Sequence, residues 1–370
     1  MKIAILSPFY PYRGGISQFS VMLFVELEKK GHEVQAFNFK RLYPEFLFPG
    51  KTQYEENQNV EIESTRILDS INPVSYEKTA KAIKNFAPDV LIISYWMSFF
   101  VPGYAYIAWK LKGKCKVVTL LHNLIPHEAR FFDKPLIKCF LKVNDGFIAL
   151  SESVERDLQE LDPHVKSIVK PHPIYNQFGG RIETIDARRL LRVDSNKKTI
   201  LFFGLIREYK GLDLLIDAVS MLDDSYQLII AGESYGSFDT YDEHIKKVNH
   251  PERIHVFNRY ISDNEVPLFF SAADVCILPY RSATQSGIIS IAYHFELPLI
   301  ATDTGGLKES VEKPGVGLMI PEISSSSIAA TIQDFFNKDR SVFISNIQKE
   351  KSFLTWEHFA ETLLSFVKEL

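Results

Sequence analysis

Twelve apolar runs, none longer than seven residues, alternate along this chain with stretches whose apolar residues recur at helical spacing. That alternation constrains the fold more than any other feature. A short strand that is apolar throughout has no polar face to give to water, so both of its faces must be covered. Helices placed between successive strands provide the cover, and the product is a parallel sheet wound on both sides. In the first half the runs are KIAIL (2–6), EVQAFNF (33–39), DVLIIS (89–94), KVVTLL (116–121), GFIAL (146–150) and KSIVK (166–170). Helices are predicted between them near 16–30, 75–86, 101–112 and 151–160. The segment 170–180, with two prolines, two glycines and no period, interrupts the pattern, and a short helix is predicted at 183–192. The alternation restarts with TILFFG (199–204), YQLIIAG (226–232), RIHVFN (253–258), DVCILP (274–279), PLIAT (298–302) and VGLMI (316–320), with helices at 211–222, 262–272 and 287–295. The chain therefore reads as α/β, with two doubly wound Rossmann-like domains, 1–175 and 176–353, and an interdomain cleft. Residues 324–370 read as largely helical, broken near 338 and 354. The last helix carries Trp356, Phe359, Leu363, Phe366 and Val367 along one side.

Composition narrows the function class. Of the 370 residues 46% are hydrophobic, enough for two cores, and the net charge of -4 argues against nucleic acid as a partner. Cys115, Cys139 and Cys276 are far apart, odd in number and outside any C-x-x-C spacing, which fits reduced thiols in the cytoplasm. The opening MKIAIL is too short an apolar run for a signal peptide and reads as a buried first strand. No stretch approaches the ~20 apolar residues of a membrane-spanning helix.

Ligands of open α/β sheets bind beyond the C-terminal ends of the strands, so the loops there carry the candidates. After the first strand, Gly14 and Gly15 open a helix. They allow either a plain turn or the close approach of an anion to free helix amides. His122 ends the run KVVTLL, in LLHNLIPHE. It reads as a donor or acceptor to a substrate hydroxyl, or as a structural histidine; Pro126 breaks the register that a metal pair with His127 would need. In FFGLIREYKGLDLLIDAV, Gly204 ends a strand, Arg207 and Lys210 occupy the loop and Gly211 opens a helix. Two cations beside a helix start suit a phosphate, against the alternative of solvated surface charge. Asp274 heads the run VCILP, and the polar loop Ser282, Thr284, Gln285, Ser286 then leads into Gly287 and Ile288, whose amides can receive a second phosphate. Gly305 and Gly306 form a further strand-to-helix turn with Glu309 just inside the helix. Ordinary turns and caps are the alternative for both.

These motifs resemble the retaining glycosyltransferase family 4, of GT-B fold, of the type that assembles bacterial glycans. The resemblance covers nearly the whole chain and is strongest over 199–317. It implies a nucleotide-sugar donor, UDP- or GDP-linked, on the C-terminal domain, and a glycan or lipid-linked acceptor on the N-terminal domain. It also implies a last helix, 354–370, that crosses back to the first domain. Gly14 and Gly15 match the family's glycine loop near the donor phosphates. His122 matches the histidine that contacts the transferred sugar. Lys210 and Gly211 match the lysine–glycine pair, with Arg207 standing in for an arginine usually found where Leu205 stands. Gly287 matches the glycine whose following amides bind phosphate, and Gly305, Gly306 and Glu309 match G-G-x-x-E. The family's two glutamates around Gly287 are Thr284 and Ala292 here, and Glu296 lies about one turn beyond Ala292.

The expected chemistry is hexosyl transfer from the nucleotide sugar without a metal ion or other cofactor. Arg207, Lys210 and the amides near Gly287 would stabilise the leaving diphosphate. With no evident carboxylate nucleophile, of the kind a double displacement needs, front-face attack is expected, with His122 orienting the sugar. A non-catalytic nucleotide-sugar binder and a GT-B epimerase or phosphorylase are the alternatives. A dehydrogenase is disfavoured by the missing G-x-G-x-x-G. The segment 129–143, with Lys134, Lys138 and Lys142 four residues apart beside Phe and Leu, reads either as a packed helix with solvated lysines or as a peripheral contact with an anionic membrane.

Overall fold

The computed structural model describes residues 1–44, 53–54, 62–125, 131–174, 178–283 and 286–370. They form two compact units, Met1–His172 with Thr355–Leu370, and Pro173–Leu354.

Unit 1 runs β1 (Lys2–Leu6), α1 (Gly15–Lys29), β2 (Glu33–Arg41), β3 (Ser64–Asp69), α2 (Pro73–Phe86), β4 (Val90–Tyr95), α3 (Val101–Leu111), β5 (Lys116–Leu121), α4 (Asp133–Leu141), β6 (Gly146–Ala149), α5 (Glu152–Leu161) and β7 (Ser167–Val169). Its seven described strands are all parallel, in the order β3-β2-β1-β4-β5-β6-β7. Because strand side chains alternate, β1 feeds two cores at once. Ile3 and Ile5 pack with Phe19, Leu23 and Leu27 of α1, and Ala4 and Leu6 pack on the other face with Tyr104 and Ile107 of α3.

Unit 2 runs α6 (Thr184–Leu191), β8 (Lys198–Phe203), α7 (Leu212–Ser220), β9 (Tyr226–Ala231), α8 (Asp239–Lys247), β10 (Ile254–Phe257), α9 (Val266–Ala272), β11 (Val275–Leu278), α10 (Gly287–His294), β12 (Leu299–Thr302), α11 (Leu307–Val311), β13 (Gly317–Ile320), α12 (Ser325–Phe336) and α13 (Arg340–Phe353). Its strands, also parallel, are ordered β10-β9-β8-β11-β12-β13. Ile200 and Phe202 of β8 face Leu215, Ile216 and Val219 of α7, while Leu201 and Phe203 face Phe269 and Phe270 of α9. Asp274, just before β11, is structural. It accepts from Arg188 of α6 at 2.8 Å, from Arg340 of α13 at 2.7 Å and from the Thr199 amide at 2.7 Å.

The final helix, α14 (Trp356–Glu369), belongs to unit 1. Thr355 caps it, its hydroxyl accepting from the His358 amide at 3.1 Å. Its buried stripe joins the α1 side of the core, and Lys30 of α1 pairs with Glu361 at 2.8 Å. Gly146 of β6 lets it come close: a Cβ there would lie 2.8 Å from the Phe366 ring.

Three elements differ from the sequence expectation. β3 is an edge strand with part-exposed side chains, so it lacks the apolar run of its neighbours. α8 fully buries only Tyr241 and is otherwise mostly charged, so it shows little apolar period. The helix expected at 262–272 begins at Val266, because Ser262 and Glu265 are engaged in a turn, the Ser262 hydroxyl donating to the Glu265 carboxylate at 2.8 Å.

Candidate functional site

In a sheet of this order the strand direction of travel reverses between the first strand and the fourth, and the crevice beyond those two strand ends is where ligands sit. In unit 2 that place lies beyond β8 and β11. The chain leaves β8 at Gly204, whose φ of +99° only glycine adopts readily. A Cβ at Gly204 would lie 3.1 Å from Ile288, in the first turn of α10, and 3.4 Å from Lys210 Nζ. The expected strand end, lysine and helix start therefore converge on one point. Gly211, at φ +67°, is pressed against the end of β11, since a Cβ there would stand 2.1 Å from the Pro279 carbonyl oxygen. A 3-10 turn over Glu208–Lys210 carries the lysine between these two glycines.

The electrostatics at this point are unbalanced. Burial, and then the nearby Arg207 guanidinium, push the Lys210 ammonium down to about 8. The residue as a whole is only part-buried, yet the lost solvation of its charged end is the leading influence. Among the described residues, neither Arg207 nor Lys210 is paired with a carboxylate. Lys210 Nζ lies 5.5 Å from the centre of the Tyr280 ring, Arg207 lies 4.2 Å over Tyr235, and Arg207 Nε is buried with no hydrogen-bond partner. Arg281, close by, behaves differently: it grips Asp213 with both terminal nitrogens. Two crowded cations beside the amide end of α10 make a place for an anion of high charge.

Of the remaining expected donor residues, Ser286, Gly287 and Ile288 stand at this point, whereas Gly14 and Gly15 belong to unit 1. Ser286 is the N-cap of α10 and shares a hydrogen bond of 3.2 Å with the Tyr280 hydroxyl, and Gly287 is the first helical residue. Thr284 and Gln285 lie outside the described residues, as do His127 and Glu128. Gly306 and Glu309 stand one strand further along, after β12, and α11 is a single short turn of five residues, so little helix dipole can gather there. The end of β12, which precedes them, is tied to the lysine region by Thr302, whose hydroxyl donates to the Tyr280 carbonyl at 2.6 Å. Ala292 is fully buried in the apolar core. Glu296 does not replace the missing carboxylate, because Lys351 holds it at 3.0 Å and Gln348 at 2.8 Å. Tyr280 and Tyr235, which flank the two cations, were not marked by the sequence. They are strand-end tyrosines with no motif of their own.

In unit 1 the corresponding place lies beyond β1 and β4. Gly14 is exposed, sits at φ +112° with open space where a Cβ would be, and precedes Gly15 at the start of α1. The loop after β4 carries Trp96, Met97 and Phe99, all part-exposed; Trp96 Nε1 donates to the Tyr43 hydroxyl at 2.8 Å. His122 follows β5, its amide bonded to the Tyr95 carbonyl at 2.9 Å. Its ring meets Phe19 edge-on at 4.9 Å, and Phe19 also touches His172, Trp356 and Phe359. Burial, and secondarily His172, push the His122 imidazole down to about 3, so it is neutral at physiological pH. Its Nε2 is buried and has no hydrogen-bond partner among the described residues.

The model described as Glycosyltransferase Family 4 matches residues 13–176, and that described as Glycosyl transferases group 1 matches residues 184–350. An uncharacterized glycosyltransferase of Methanocaldococcus jannaschii is 26% identical over 377 residues, spanning 96% of this chain and 95% of that one. Sucrose-phosphate synthase of Thermosynechococcus elongatus shares the fold with a TM-score of 0.79 at 18% identity, covering 100% of this chain and 98% of its own. Anabaena Alr3699/HepE, solved in complex with UDP, does so with a TM-score of 0.78 at 16% identity, over 100% of both chains. Two matched models that follow one another along the chain, each over one parallel sheet, place this protein among the family 4 glycosyltransferases, transferase enzymes of the GT-B fold.

Proposed function

We propose that the protein transfers a hexose, with retention of configuration and without a metal ion, from a UDP- or GDP-linked donor to a glycan or lipid-linked acceptor. The observation that carries this reading is the pair Arg207 and Lys210, crowded together without a carboxylate at the end of β8 and beside the start of α10. A nucleoside diphosphate supplies the missing negative charge. HepE, of the same fold, was solved with UDP.

When the bond from the anomeric carbon to the β-phosphate oxygen breaks, its electron pair stays on that oxygen. Arg207, Lys210 and the amides of Gly287 and Ile288 stabilise the charge as it develops, a role fixed donors perform well. The acceptor hydroxyl attacks from the face the diphosphate leaves, and its proton passes to a phosphate oxygen. Ala292 offers no nucleophile for a double displacement. His122, neutral and with Nε2 unpartnered, fits a hydrogen bond to a sugar hydroxyl better than the work of a general acid. The Trp96–Phe99 loop gives unit 1 apolar, uncharged surface suited to an acceptor.

The acceptor's class is supported by the surface of α3 and α4. Phe131 is 95% exposed, Lys134, Lys138 and Lys142 are exposed, and Lys112 reaches the Lys142 carbonyl at 3.1 Å. Asp133, the acid of α4, is turned inward and accepts from Ser98. Such a face suits the anionic inner surface of a cytoplasmic membrane. Among the described residues no helix is long and apolar enough to cross it.

Calorimetric titration with UDP, GDP and ADP in EDTA tests the donor reading. Selective binding of one diphosphate, weakened at least tenfold by K210A, is expected. Binding that ignores K210A, or that requires added magnesium, overturns it.

A further inference from the structure

We propose that Tyr235 is a positioning residue that holds the Arg207 guanidinium ready for the diphosphate; this rests on the reading of Arg207 as a phosphate ligand. Beyond the ends of β8 and β9 the two segments that follow them meet once more. The Ile206 amide donates to the Glu233 carbonyl at 2.8 Å, and the Tyr235 amide donates to the Ile206 carbonyl at 2.9 Å, so Ile206 and Ser234 form a parallel bridge. Gly232 permits it: at φ +151°, a Cβ there would stand 2.0 Å from the Gly204 carbonyl oxygen. The Ser234 amide and hydroxyl both donate to Asn258 Oδ1, at 3.0 and 2.9 Å, which ties the same loop to the end of β10.

This short extension sets the Tyr235 ring under Arg207, 4.2 Å from the guanidinium carbon. Among the described residues no carboxylate holds that guanidinium. The contrast with Arg281 gives the reason. Asp213 fixes Arg281 but neutralises it and occupies its fork. An aromatic face attracts a cation without taking up its N–H donors. Arg207 can thus be held in place and still present its full charge and its planar fork. Tyr235 is 41% exposed, so its ring is not needed as core filling. The length of loop between Gly204 and Arg207 makes such a support necessary, since Arg207 stands four residues beyond Phe203, the end of β8, and its side chain has several free torsions to fix.

Binding of inorganic pyrophosphate, which carries no base, tests the proposal by calorimetry. R207A is expected to weaken binding about tenfold or more. Y235A and Y235L are each expected to weaken it about fivefold, and Y235F, which keeps the ring, to restore it to within twofold. In the R207A background Y235A should cost nothing further. A silent Y235L, or losses that multiply in the double variant, overturns the proposal, the second because Tyr235 would then touch the ligand itself. If pyrophosphate does not bind, or binds wild type and R207A alike, the phosphate reading of Arg207 fails and takes this inference with it. An effect of R207A without an effect of Y235L sinks this inference alone.

Discussion

Units 1 and 2 solve the same topological problem with opposite chemistry. In each, the chain leaves the first strand of a parallel sheet at the point where the strand order reverses, and a glycine with positive φ starts or precedes the next helix. In unit 2 the loops at that point bring Arg207 and Lys210 together. In unit 1 they bring Trp96, Met97 and Phe99 beside Tyr43, and the neighbouring His122 is neutral. The sheet order fixes where a ligand can sit, and the side chains in the loops fix its charge. Two copies of one architecture can therefore divide a reaction between an anionic leaving group and an uncharged partner.

The most severe way to break this comparison is to remove the charge of unit 2. K210M should lower turnover by about 10²–10³, as loss of one preorganised donor to a developing oxyanion does. The same variant should raise the melting temperature of the ligand-free protein. The ammonium is held at about 8 rather than its ordinary 10.5, so the folded protein binds fewer protons than the unfolded chain between those values. The cost of confining the charge is thus fully present below about pH 8 and is relieved as pH rises toward 10.5. The gain in melting temperature should be largest near pH 7 and vanish by about pH 10.5. A K210M that keeps wild-type turnover, or a gain in melting temperature that grows with pH, would contradict the assignment.

Substituting His122 tests the other half. H122A is expected to lower turnover by about ten- to a hundredfold, the worth of a buried hydrogen bond that strengthens with the reaction. It should leave affinity for the free nucleoside diphosphate within twofold, because that ligand is assigned to unit 2. A parallel loss of diphosphate affinity would erase the division of labour. Burial holds the imidazole at about 3, so the pH–rate profile should show no limb near 6.5 from this residue.

The contrast between the units was unevenly legible in the sequence. Runs such as DVLIIS in unit 1 and TILFFG in unit 2 announced both sheets, because strands covered on two faces are apolar throughout. β3 escaped as an edge strand and α8 as a helix with one buried side chain. Gly204, Lys210, Gly211 and Gly287 could be picked out as candidates because they stand at the strand-to-helix junctions where ligands of such a sheet bind. The partners of those cations were not. Tyr280 approaches Lys210 from the end of β11 and Tyr235 approaches Arg207 from the end of β9, and each meeting depends on which strands lie side by side. Nor could one sequence reveal that Glu296, near the vacant carboxylate position, is already committed to Lys351 and Gln348.

A milder probe titrates the cation instead of deleting it. A diphosphate that binds only the ammonium form should lose affinity as pH rises past about 8, by about fivefold between pH 8 and 9 if the neutral amine contributes nothing. Binding at pH 8 should draw protons from solution, because the anion raises the affinity of Lys210 for its proton. Calorimetry in buffers of different ionisation enthalpy measures that uptake directly. Proton release at this pH, or an affinity flat from pH 7 to 9, would mean that Lys210 is not in contact with the diphosphate.

The smallest effect is expected on the surface of unit 1, where charge returns in a different role. Lys138 is exposed on α4 between Lys134 and Lys142. A lysine near an anionic bilayer contributes about 1 kcal/mol, so K138Q should weaken partition into phosphatidylglycerol vesicles about fivefold at low salt. Added salt should weaken wild-type binding and shrink the difference, since these charges are solvated and screened. Phe131→Ser should weaken partition with much less dependence on salt, as its contribution is apolar burial. Neither change should alter diphosphate affinity, because both lie in unit 1 and the cations proposed to hold the donor lie in unit 2. If both variants bind vesicles as wild type does, α4 is a packed helix with solvated lysines. The uncharged character of unit 1 would then extend to its partner, and a water-soluble glycan would become the better acceptor.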